Sequence, residues 1–244
     1  MTMNKLPEFI NSERRRFADK YNNIFAFSFG QILYNYQYLS VIHQRYDEES
    51  REFLNIVKTQ QALMKPGTRP VTDEGMKLLV KSHELSTKLH LDIESFYLFA
   101  KILLDKSALA IEFYFGQARG LTLASHHKLI KNIASFSKAK NLNLNEALLN
   151  IAIKLQGDVS DLRDDQIAHV PSERNTRLTR SIMWDGKGNT KLVLDPIYPT
   201  EKDKHIETRL MQELIADIDK YLDEIIDFVR NNGSKTVLPL EEVK

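Results

Sequence analysis

Arg163 and His169 are the two residues whose types and spacing suit chemistry, within Asp161-Leu162-Arg163-Asp164-Asp165-Gln166-Ile167-Ala168-His169. A guanidinium holds an anion in a fixed fork geometry, and an imidazole exchanges protons near neutral pH. Together they suit a reaction at a phosphate. On a straight helix they stand about 9 Å apart along the axis and about 120° around it, so they share no stripe. Val170-Pro171 ends the helix, because proline disfavours helical geometry in the residue before it. At such an end the long arginine can still meet the anion that His169 meets, and the partial negative charge of a helix C-terminus favours a charged imidazole. The competing reading is structural, with Arg163 paired to an acid and His169 capping carbonyls.

Other chemistries narrow quickly. The chain has no cysteine, which removes disulfides, thiolate metal sites and thiol nucleophiles. His126 and His127 are adjacent and lack a second pair at helical spacing, so no metal site and no cofactor is expected. Between Gln117 and Asn145 there are Arg119, Lys128, Lys131, Lys138 and Lys140 and no acid. Such a run is either a solvated face or a phosphate-contacting one, and Arg119, Lys128 and Lys131 are its candidate nucleic-acid contacts. The polar stretch before residue 181 adds Arg174 and Arg177 to that set. Lys101, Asp105 and Glu112 fall on one helical stripe, read as a solvated edge or as one side of a shared polar site.

The elements that must position these residues are mainly helical. The 244 residues can bury a core without staples, and glycine and proline are scarce. With 34 basic and 33 acidic side chains, no global charge marks a dedicated nucleic-acid binder. No stretch has the roughly 18 apolar residues of a membrane span, and Pro7 and Glu8 break any leader-like run, so a cytoplasmic protein with no membrane role is expected.

Helical periodicity runs from Asn11 to Tyr46 and on to Met64, with aromatic side chains (Tyr21, Phe25, Phe27, Phe29, Tyr34, Tyr36, Tyr38) read as core or dimer-interface packing. Lys65 to Pro70 is a linker. A helix to about His90 follows, then the most apolar element, Ser95 to Gly116, with Asp92 as its N-cap. Thr122 to Ala139 is amphipathic, and Asn143 or Asn145 caps the helix leading into Arg163. Ser181-Ile182-Met183-Trp184 and Thr190 to Leu194 flank a glycine turn and predict a β-hairpin with Trp184 as anchor. Glu201 to Asn231 reads as the long last helix. The expected division is residues 1–70 as an N-terminal helical segment, 71–232 as the main bundle with its hairpin insert at about 178–196, and 233–244 as a tail without a core to join.

Arg163-Asp164, four residues and then His169 resembles the Arg-polar-x4-His signature of the HEPN superfamily, helical proteins that include RNA-cleaving toxins and abortive-infection proteins. The specific match covers about ten residues, and the helical context covers most of the chain loosely. The resemblance implies a HEPN-like helical bundle, a homodimer, and metal-independent endoribonuclease chemistry with Arg163, His169 and Asp164 in the site. It also implies RNA and an antitoxin or other protein as partners. The residue after the arginine is often asparagine in active members, whereas here it is Asp164, followed by Asp165. Two carboxylates beside Arg163 can pair with it and repel phosphate, which favours the alternative of a non-catalytic nucleotide- or RNA-binding or protein-interaction module.

Overall fold

The computed structural model describes residues 5–63, 72–161, 178–184, 190–196, 206–207 and 209–241. The linker expected at 65–70 lies outside them. The described chain is mainly helical: α1 (Leu6–Glu13), α2 (Asp19–Leu63), α3 (Asp73–Phe115), α4 (His126–Lys140), α5 (Glu146–Leu155) and α6 (Met211–Asn231), with strands β1 (Leu178–Trp184), β2 (Thr190–Pro196) and β3 (Ile206–Glu207) before α6. It divides into two compact units, one of Met1–Leu39, Leu98–Leu162 and Leu214–Lys244, the other of Ser40–Tyr97 and Arg163–Glu213. Helices α2 and α3 contribute residues to both. No helix among the described residues is long and apolar enough to cross a membrane.

The first unit is built on aromatic packing. Phe25 and Phe29 stack at 4.6 Å, Phe9 meets both edge-on, and Tyr114 of α3 closes on Phe17, Phe25 and Phe29. The apolar stripes of α4, α5 and α6 add Ile133, Phe136, Leu148, Leu155, Leu214, Ile218 and Leu222, all buried. One group of polar side chains beside the aromatic core satisfies itself internally. Tyr114 Oη donates to Glu13, and Arg16 binds Glu13, the Tyr114 hydroxyl at 3.2 Å and the Gly233 carbonyl at 3.0 Å. A Cβ on Gly233 would come within 2.7 Å of the Arg16 guanidinium, so a side chain there would push the end of Arg16 aside.

Residues expected to form a loose tail are packed. Leu238 is buried, Leu240 bridges Phe17, and main-chain N–H groups of Ala18, Val237 and Glu241 donate to Pro239, Tyr114 and Arg16 carbonyls. The cause is the extended stretch after the short 3-10 turn Arg14–Arg16, which breaks the helix expected from Asn11 and leaves an unpaired strand edge.

In the second unit the Ser40–Leu63 part of α2 and the Asp73–Tyr97 part of α3 bury Leu54, Ile56, Leu85, Leu89, Ile93 and Phe96. Asp92 does not cap a helix here. It lies in the middle of α3, 1% exposed, with Arg45 forking onto its carboxylate. Nothing between His90 and Ser95 breaks a helix, so α3 runs through, and the buried carboxylate finds a cation from α2 instead of a helix N-terminus. The backbone of β1, β2 and β3 forms a three-stranded antiparallel sheet, not a lone hairpin, with Trp184 opposite Thr190 and Val193 opposite Glu207. Ile206–Glu207, expected inside the last helix, is extended, and α6 starts at Met211. The anchoring role expected of the Trp184 side chain lies outside the described residues.

Candidate functional site

Arg163, Asp164, His169, Arg174 and Arg177 lie outside the described residues. The chain leading to them is described. Asn145, one of the two expected caps, receives the Ala147 N–H at 3.0 Å and starts α5. After Leu155 the helix widens into a π-helical turn, Gln156–Asp161, where Gly157 interrupts the apolar pattern. Such turns are rare and recur at functional positions because they re-aim side chains without ending the helix. Val159 and Ser160, within this turn, are buried.

Gln156 begins a polar cluster that unites four parts of the first unit. Its Oε1 lies 3.2 Å from His126 Nδ1. The His126 main-chain N–H donates to Asp105 Oδ1 at 2.8 Å, and Asp105 is also ion-paired to Lys101 at 2.8 Å. The imidazole stands edge-on to the Tyr221 ring of α6, with centroids 5.5 Å apart. Lys101 and Asp105 are thus the inner side of a shared polar site and not a solvated edge.

His126 is wholly buried, and that burial pushes its pKa down to about 4. The Gln156 contact and the Asp105 charge pull upward, whereas Lys101 and His127 push further down. The ring is therefore neutral at pH 7. With Gln156 Oε1 accepting, the proton is on Nδ1, and Nε2 is buried without a hydrogen-bond partner, as is the Tyr221 hydroxyl. Burial, and then the Asp105 charge, drives the Tyr221 pKa upward, so it too is neutral. An enclosed neutral histidine cannot meet a solvent-borne substrate. It positions the start of α4 against α3 and the π-helical turn.

The periodicity of Lys101 and Asp105 made two of the five residues of this cluster visible in the sequence. Residues 126, 156 and 221 are too far apart along the chain for any local pattern to connect them.

Helix α4 starts at His126 and not at Thr122, because Ser125 is the N-cap, accepting from the Lys128 N–H at 3.3 Å. The preceding loop is held by Glu112, whose Oε2 accepts from the Thr122 hydroxyl at 3.0 Å and from the Leu123 N–H. Asn141 closes α4 in the left-handed conformation, φ 54°. Lys128 and Lys131, three residues apart, are exposed side by side on α4. Arg119 is exposed in the loop before it and lines a shallow depression of about 310 Å³ with Gln117, Thr122 and Glu112. The Glu112 carboxylate in that depression opposes an anion there. Of the three basic candidates, the α4 pair is the part suited to a phosphate backbone.

Comparison with protein-family models, with curated proteins and with solved structures finds no match.

Proposed function

We propose that the chain is a HEPN-like, metal-independent endoribonuclease of toxin or abortive-infection type, cytoplasmic and homodimeric, with Arg163 and His169 as its reacting pair. One observation carries the reading: in a mainly helical chain, a capped helix passes through a π-helical turn into the Arg163-Asp164-x4-His169 sequence. The chemistry is transesterification. The RNA 2′-hydroxyl gives up its proton as its oxygen attacks the adjacent phosphorus, and the 5′-oxygen leaves and takes up a proton; His169 makes one of the two proton transfers, as general base or general acid, and water makes the other. Arg163 holds the non-bridging oxygens as charge builds on them, and Asp164 orients a neighbouring group. Lys128 and Lys131 supply contacts to the RNA backbone. An antitoxin or other protein partner belongs to the same reading.

The test is cleavage of a mixed RNA pool by the purified chain and by Arg163→Ala and His169→Ala. Loss of general acid–base help lowers the rate by about 100-fold or more. Cleavage that survives both substitutions overturns the assignment.

A second reading, a nucleotide- or RNA-binding or protein-interaction module without catalysis, is favoured by Asp164 and Asp165 directly after Arg163. It expects no cleavage but RNA binding that weakens with salt. Lys128→Ala and Lys131→Ala would each then lower the salt slope by about one.

A further inference from the structure

In the first unit α2 is apolar on two sides. Phe25, Phe29, Ile32, Tyr36 and Leu39 are buried, yet Phe27 is 69% exposed, Tyr34 55%, Tyr38 49% and Ile24 37%. Ile24, Phe27, Gln31, Tyr34 and Tyr38 alternate spacings of three and four, which is the seam pattern of a helix that packs along another helix. From Tyr21 to Gln44 there is no acidic residue, lysine or arginine. Exposed helix faces are normally charged, and the combination of exposed tyrosine and phenylalanine with no charge is the composition of an interface core.

The same five residues are close to a palindrome. With a second α2 laid antiparallel across a two-fold axis at Gln31, Gln31 meets Gln31, Phe27 meets Tyr34 and Ile24 meets Tyr38. Every exposed apolar group then faces another, as a self-complementary isologous contact requires. Gly30 lies beside that axis. A Cβ there would touch nothing within 4 Å of its own chain, so intrachain packing does not call for the glycine. A mid-helix glycine is unfavourable relative to alanine, and the absence of a side chain lets a second backbone approach.

The area is sufficient. Taking an aromatic side chain as about 200 Å², the three exposed rings offer about 350 Å² per copy. Doubled, and with Ile24 and the flanking polar side chains, this comes to about 1,000 Å², the lower bound of a specific interface.

We infer that the outer face of α2, from Ile24 to Tyr38, is the surface on which a second copy of this chain docks, antiparallel about Gln31. The inference rests on the homodimer of the proposed function but not on its chemistry, so it can fail while Arg163 and His169 stand. The chain has no cysteine, which gives a clean background for site-directed cross-linking.

The full chain should sediment at twice its mass, and Phe27→Glu with Tyr34→Glu should halve that mass while the helical circular dichroism is kept. With a short bis-maleimide, Gln31→Cys should cross-link to itself. Ile24→Cys alone should not, because the two copies of residue 24 would be about 20 Å apart along the axis, but it should cross-link when mixed with Tyr38→Cys. A monomeric wild type, or a folded double-glutamate variant that stays dimeric, overturns the proposal. Self-cross-linking by Ile24→Cys also overturns it, since that is the mark of parallel pairing. The cysteine variants keep the test open if the double variant does not fold.

Discussion

At the scale of single residues, His126 shows how burial converts a titratable group into a structural one. Desolvation outweighs the help of Gln156 and Asp105, so the folded chain resists protonating this ring until about pH 4. In the unfolded chain it titrates near 6.5. Below 6.5 the unfolded state binds the proton that the native state refuses, and stability falls as pH drops from about 6.5 to about 4 and is flat below that. The expected loss from this residue is about 2 kcal/mol between pH 7 and pH 5. Urea unfolding at the two pH values should show it in the wild type and not in His126→Gln. An equal pH dependence in the two proteins would show that His126 does not carry it.

At the scale of elements, the unbroken length of α3 depends on what Asp92 is given in exchange for water. The carboxylate is 1% exposed, and Arg45 of α2 is its partner, with half of the arginine side chain still in solvent. The bond pushes the Arg45 pKa upward, and the neighbouring Glu49 carboxyl is raised mainly by burial and next by the Asp92 charge. Arg45→Ala would leave a buried charge unpaired. A fully enclosed pair costs 3–5 kcal/mol to break this way; with the arginine half exposed, about 2 to 3 kcal/mol is expected. Asp92→Asn with Arg45→Ala should recover part of that loss in denaturant titrations. A single Arg45→Ala variant as stable as the wild type would mean that water, not the arginine, satisfies Asp92.

At the scale of the whole molecule, the two ends of the chain close the first unit together. The 3-10 turn Arg14–Arg16 and the extended residues after it pair with residues 239–241, while Thr236 and Val237 both donate to the Tyr114 carbonyl. Leu238 is buried in the same place. Deleting residues 236–244 removes one buried leucine and several main-chain hydrogen bonds, a loss of about 3 to 5 kcal/mol. The midpoint of urea unfolding should fall accordingly, and a change under about 1 kcal/mol would return these residues to the status of a tail.

The sequence by itself determined that the chain is mainly helical, that the helix leading toward Arg163 is capped at Asn145, and that no thiol chemistry is available. Periodicity, cap residues and composition act locally, so Asn145, the apolar faces of α4 and α5, and the Lys101/Asp105 spacing were legible from neighbours alone. It also supplied the Arg163/His169 pair on which the proposed chemistry rests. Only the tertiary structure decided that Asp92 is a buried ion-pair partner, that residues 236–241 are hydrogen-bonded to the first unit and bury Leu238, and that Asp105, His126, Gln156 and Tyr221 form one cluster. Each of these depends on desolvation. A carboxylate, an imidazole or a chain end behaves according to what excludes water from it, and those groups come from residues tens to hundreds of positions away.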